Sequence, residues 1–157
     1  MKIAFAAVAL MALAGSASAV LITYDFPIDG LQEVPPVATP ATGTGHVTLD
    51  TVTNELTWNI SWSGLIGTVS NAHFHGAAPI GVPAGVRLGL DFTQNPMIGS
   101  AFISPAFANE VYSGLWYVNI HSTFRPGGEI RGQVVPAPGA AAVLGLAGLG
   151  AMRRRRA

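Results

Sequence analysis

The sequence predicts an all-β fold, an antiparallel β-sandwich or barrel with Greek-key connections. Three observations carry that prediction. Apolar and polar residues alternate with period two in several short runs, the mark of half-buried antiparallel strands. Pro and Gly clusters separate those runs, at Pro35-Pro36, Pro79, Gly81, Pro83, Gly85 and Pro126-Gly127-Gly128. Between Val20 and Val135 no long helical period appears. The chain has 157 residues, the size of one domain, with half of them hydrophobic and a tenth charged. So little charge argues against coiled coils, and so much apolar character argues against disorder. The absence of cysteine removes disulfides, thiolate metal sites and thiol catalysis.

Taken in order, residues 1–19 read as a secretory signal peptide. Lys2 gives the positive start, Ile3 to Ala14 is uncharged and apolar, and Ala17-Ser18-Ala19 is a small-x-small site, placing cleavage between Ala19 and Val20. Signal peptidase is the implied processing partner. Val47 and Leu49 alternate with His46, Thr48 and Asp50, and Thr51-Val52-Thr53-Asn54 reads as the turn of a hairpin. Leu56, Trp58, Ile60 and Trp62 then share one face opposite Thr57, Asn59 and Ser61, so Trp58 is expected in the core. His73 and His75 share a strand face opposite Phe74. Trp116, Val118 and Ile120 alternate with Tyr117, Asn119 and His121, and Ile130, Gly132 and Val134 with Arg131 and Gln133. Seven or eight such strands make one core spanning residues 20–135.

The charges are segregated. Arg153, Arg154, Arg155 and Arg156 close the C-terminus, while the body holds all eight acids against only Arg87, Arg125 and Arg131. An acidic body without a basic patch is a poor nucleic-acid binder. In residues 136–157, Pro136, Pro138 and Gly139 break the chain before a continuously apolar run from Ala140 to Met152, and the arginines follow. Arginines after an apolar stretch stay cytoplasmic, which leaves the body outside. The run is short and Gly-rich for a permanent anchor, so its membrane association is expected to be transient. This tail resembles the PEP-CTERM sorting signal of Gram-negative-type bacteria, with Ala137 where the motif's name has Glu. The resemblance implies an exosortase-type processing enzyme as partner and delivery to the cell surface or extracellular matrix. An ordinary single-pass anchor is the alternative.

Four stretches of the body carry a second resemblance: Leu31-Gln32-Glu33-Val34-Pro35-Pro36, Ala72-His73-Phe74-His75-Gly76, Leu115 to Ser122, and Pro126 to Gln133. In this order they resemble a CHRD domain, the module named after chordin and found alone in exported bacterial proteins. The implied role is non-enzymatic, structural or adhesive, with surface or matrix components as partners.

His73, His75 and His121, from two strands, are candidate ligands for copper or zinc, because imidazole is the commonest transition-metal ligand. The bland alternatives are a polar network in which His73, His75, Asn119 and His121 satisfy one another, or exposed histidines. His46 joins only if its strand is adjacent, and is more simply exposed. The His-x-His strand also resembles the copper-ligand strand of copper/zinc superoxide dismutases, and His121 takes the place of that family's later ligand. The fold expectation is then a Greek-key sandwich of superoxide-dismutase or immunoglobulin type, flanked by the signal helix and the C-terminal apolar helix. The zinc loop has no counterpart, because Ala77 to Gly85 holds neither His nor Asp, and the disulfide is impossible. Dismutase activity is therefore not expected, and a metal protein without it is the alternative to the structural role.

Glu33, Glu129 and Arg131 are acid/base-capable; Glu129, Arg131 and Gln133 are expected to share a strand face, and an Arg–carboxylate contact across strands is the expected role. Ser122 follows His121 but points to the opposite face, a poor dyad for a hydrolase. No phosphate-binding loop precedes a helix. The tryptophan rows read as core rather than as a carbohydrate platform.

Overall fold

The computed structural model describes residues 20–135; the expected signal and tail segments lie outside the described residues. Eight strands and one short α-helix form in the order β1 (Leu21–Asp29), β2 (Thr42–Asp50), β3 (Glu55–Ser63), β4 (Val69–His75), β5 (Val86–Gly89), β6 (Met97–Phe102), α1 (Pro105–Tyr112), β7 (Tyr117–Ser122) and β8 (Ile130–Gln133). A 3-10 turn, Gly30–Gln32, follows β1. Among the described residues no helix is long and apolar enough to cross a membrane.

All eight strands belong to one antiparallel sheet in the order β5-β4-β7-β8-β1-β2-β3-β6. Its two halves are joined at β1 and β8, where one register pair, Asp29 with Arg131, is made. The sheet curls so that the halves face each other: Trp58 of β3 meets Phe74 of β4 edge-to-face, with ring centroids 5.7 Å apart. β3 lies beside β6 although β4 and β5 intervene in sequence in the other half, the interleaving of a Greek key. The all-β expectation therefore holds, with the sandwich built from one folded sheet.

Alternation explains most of the packing. In β3, Leu56, Trp58 and Ile60 are buried, and Thr57 and Asn59 are exposed. Trp62 is only half-buried, because it lies near the strand end. The β2–β3 turn closes on Asn54, whose φ of 58° suits the short amide side chain that tolerates this conformation. In β1, Tyr24, Phe26 and Ile28 point inward, an alternation present in the sequence.

Two differences from the sequence reading have clear physical causes. Helix α1 was not expected. Its eight residues are too few to show a helical period, but Ser104 caps it by accepting from the Phe107 amide at 3.2 Å, and Pro105 opens its first turn. Glu110 then ties α1 to the sheet, accepting from Arg87 of β5 at 2.9 and 3.2 Å and from the Trp116 indole at 2.8 Å.

The second difference is Glu129, which makes no hydrogen bond to Arg131. It is fully buried just before β8 and accepts from the Ser122 hydroxyl, from Thr39 Oγ1 at 2.7 Å, and from the Ile66 and Gly67 amides at 2.8 and 3.4 Å. Burial alone would raise its pKa, but these donors together outweigh burial and hold it below the usual carboxylate value. As a carboxylate, Glu129 thus ties two loops, through Thr39 and through Ile66 and Gly67, to the end of β7. Ser122 is committed to Glu129, which removes it from any dyad with His121.

Candidate metal centre

The site grows out of the two-residue period of β4. Ala72 and Phe74 enter the core with no exposure, so His73 and His75 must project from the outer face. β7 pairs with β4 in the register Asn71 with His121, His73 with Asn119 and His75 with Tyr117. His121 therefore stands one outward position along from His73 on the neighbouring strand. The result is convergence: one ring nitrogen from each of His73, His75 and His121 lies within 4.8 Å of the others. His73 Nδ1 and His121 Nε2 are 3.2 Å apart.

Two of the rings are oriented by backbone carbonyls. His75 Nδ1 donates to the Ala84 carbonyl at 2.9 Å, and His121 Nδ1 donates to the Pro126 carbonyl at 2.8 Å. With the proton on Nδ1, each presents its Nε2 lone pair. His121 Nε2 then accepts from His73 Nδ1–H. His75 Nε2 is buried and has no hydrogen-bond partner. The polar network accounts for the bonds of His73, His121 and His75 Nδ1, and leaves His75 Nε2 unpaired, as it does Asn119 Oδ1. Burial is the main cause that lowers the pKa of His73, assisted by the charges of His121 and His75. Burial likewise lowers that of His75, against the Ala84 carbonyl, which raises it. Both shifts favour the neutral ring, the form that binds metal.

His46 lies in the other half of the sheet, on β2, exposed and 2.6 Å from Asp25. It takes no part in the cluster.

The outer face beside the histidines differs from the sequence reading. Tyr117, Asn119, Arg131 and Gln133 alternate with core residues, yet all four are buried. The Pro- and Gly-rich stretch from Gly76 to Gly85 crosses this face and covers it. Its neck is closed by the Gly76 amide on the Gly85 carbonyl at 3.1 Å. Gln133 Nε2 donates to the Ala78 carbonyl at 3.0 Å, Arg131 to the Val82 carbonyl at 2.9 Å, and the Ala84 amide to Tyr117 Oη at 2.9 Å. The Arg131 guanidinium lies 3.4 Å from the Tyr117 ring centroid, and His75 stacks on the same ring at 5.0 Å with an interplanar angle of 8°.

The segment after β1 completes the face. Gln32 Oε1 accepts from the Gln133 amide at 3.2 Å. Glu33 is buried, and burial pushes its pKa up to about 7 against the lowering effect of Arg131. Glu33 and Asn119 crowd Gly128, where an added Cβ would stand 2.5 Å from Glu33 Oε1 and 2.4 Å from Asn119 Oδ1. With φ at 130°, the position requires glycine twice over. All four stretches singled out in the sequence thus meet on one face of the sheet. The histidines were legible there. The cover supplied by residues 76–85 was not, because its hydrogen bonds join positions far apart in the chain.

Comparison with known families gives one match, and it spans this assembly: the model of the CHRD domain matches residues 24–134. No curated protein and no solved structure matches the chain.

Proposed function

Since the chain belongs to the CHRD domain family, we propose that it is an exported, non-enzymatic protein of the bacterial cell envelope or extracellular matrix, and that its domain holds one copper or zinc ion on His73, His75 and His121. The family supports the non-catalytic, extracellular-type reading. The signal-like residues 1–19 and the Arg-closed tail support export and surface delivery. Intact-mass analysis of the exported protein tests the processing: a mass lacking Arg153 to Arg156 is expected, and a mass that retains them identifies a permanent anchor instead.

The observation that carries the metal reading is the buried, unpartnered His75 Nε2 within a group of three convergent imidazoles. Three neutral nitrogen donors suit copper and zinc, and the group contains no carboxylate of the kind that magnesium or calcium takes. For such a site copper(II) binds more tightly than zinc(II). The His–His resemblance to the copper strand of the dismutases points the same way. A bound ion would need His73 to give up its Nδ1–H donation to His121 Nε2, with the proton moved to Nε2 so that Nδ1 could offer a lone pair to the metal. The carbonyls of Ala84 and Pro126 would hold the other two rings in place.

Affinity depends on pH with a definite sign. Protonation competes with metal, and an unperturbed histidine takes up its proton near pH ~6.5. Burial lowers the pKa of His73 and of His75. Copper or zinc affinity measured calorimetrically from pH 8 to pH 5 is therefore expected to hold through neutrality and to fall only below that value. Affinity that already falls between pH 8 and pH 7 contradicts neutral, desolvated ligands.

A further inference from the structure

Resting on the three-histidine site, we infer that Tyr117 is a positioning residue for the metal, acting on His75 through the strap formed by residues 76–85. The hydroxyl of Tyr117 grips one residue of that strap from both sides, accepting from the Ala84 amide at 2.9 Å and lying 3.3 Å from the Ala84 carbonyl, to which it donates. The same carbonyl accepts from His75 Nδ1. One backbone group therefore fixes both the direction of the His75 ring and the end of the strap. The Tyr117 ring fixes its plane, stacking on it within 8° of parallel. His75 is the most deeply buried of the three histidines, and the others have no comparable clamp.

The strap is held at two further points by the same face, Gln133 at Ala78 and Arg131 at Val82. Its outer side is apolar and open to solvent, with Ile80 71% and Val82 44% exposed. Besides these bonds, the Ala78 amide donates to the Leu115 carbonyl at 2.9 Å and Ala78 is buried, so the strap's start is pinned. A metal on His75 Nε2 would draw electron density from the ring and make Nδ1–H a stronger donor to the Ala84 carbonyl. Metal binding and strap order are then two sides of one coupling, and each must favour the other by the same factor.

Hydrogen exchange and copper titration of the purified protein and of Tyr117→Phe test this directly. The substitution removes the hydroxyl and keeps the stacked ring. In the parent, copper is expected to slow exchange of the Ala84 amide and of the strap around it. In Tyr117→Phe, copper is expected to bind about 10-fold more weakly, at the low end of the 10–100-fold range for groups that orient metal ligands. Its copper(II) electron paramagnetic resonance spectrum should also change, and the metal-dependent protection of Ala84 should be lost. The same spectrum and affinity in both proteins overturn the role of Tyr117. A parent that binds copper with no change in exchange at Ala84 overturns the coupling without needing a variant. A parent that takes up neither copper nor zinc overturns the three-histidine site itself, and this inference with it.

Discussion

Phe74→Ala is expected to destabilise the domain by about 3–5 kcal/mol, the range for truncating a fully buried aromatic ring. Phe74 has no exposure and sits between two tryptophans, 5.7 Å from the ring of Trp58 and 5.7 Å from that of Trp116. Trp58 belongs to one half of the sheet and Phe74 to the other, so the ring fills the space where the halves meet. Its removal leaves a cavity that the facing strands cannot close without shifting β4. No disulfide limits the damage, because the chain has no cysteine. A single domain has only ~5–15 kcal/mol in hand, so this one change removes a large share of it. Urea unfolding followed by tryptophan fluorescence measures the loss. A midpoint within experimental error of the parent would mean that the two halves do not pack through Phe74.

His75→Ala is expected to abolish one-to-one metal binding. His75 offers the one buried cluster nitrogen without a hydrogen-bond partner. Losing a direct ligand should exceed the roughly 10–100-fold loss that follows from disturbing groups behind the ligands. His46→Ala, on the opposite half of the sheet, should bind as the parent does. Calorimetric titration with copper of the two variants separates them. Equal loss in both, or in neither, contradicts the assignment of His75.

The strands that carry the site were readable because a period of two is a local signal. Ala72-His73-Phe74-His75 states which side each residue takes, and Trp116 to His121 states the same for β7. Trp58 was placed in the core on that ground and is 9% exposed. The exposed position of His46 followed as well. What the sequence could not show is that the outer face of β7 and β8 is roofed. Tyr117, Arg131 and Gln133 look like solvent-facing residues until the Gly76–Gly85 strap is folded over them, and Asn119 until Gly128 closes on it; the strap is held by contacts as distant as Gln133 to Ala78. Glu129 misled for the same reason. Its nearest charged neighbour in sequence is Arg131, but its donors come from Thr39, Ile66, Gly67 and Ser122. Helix α1 was hidden by its length, although the Ser104-Pro105 start was there to be read.

The convergence of His73, His75 and His121 is tested most directly by the metal stoichiometry of the purified protein after exposure to copper and removal of excess. One copper per chain is expected, with nitrogen couplings from three imidazoles in the copper(II) electron paramagnetic resonance spectrum, and the loss of that spectrum in His75→Ala. Sub-stoichiometric copper without imidazole couplings, in a protein that is folded and stable, would contradict it.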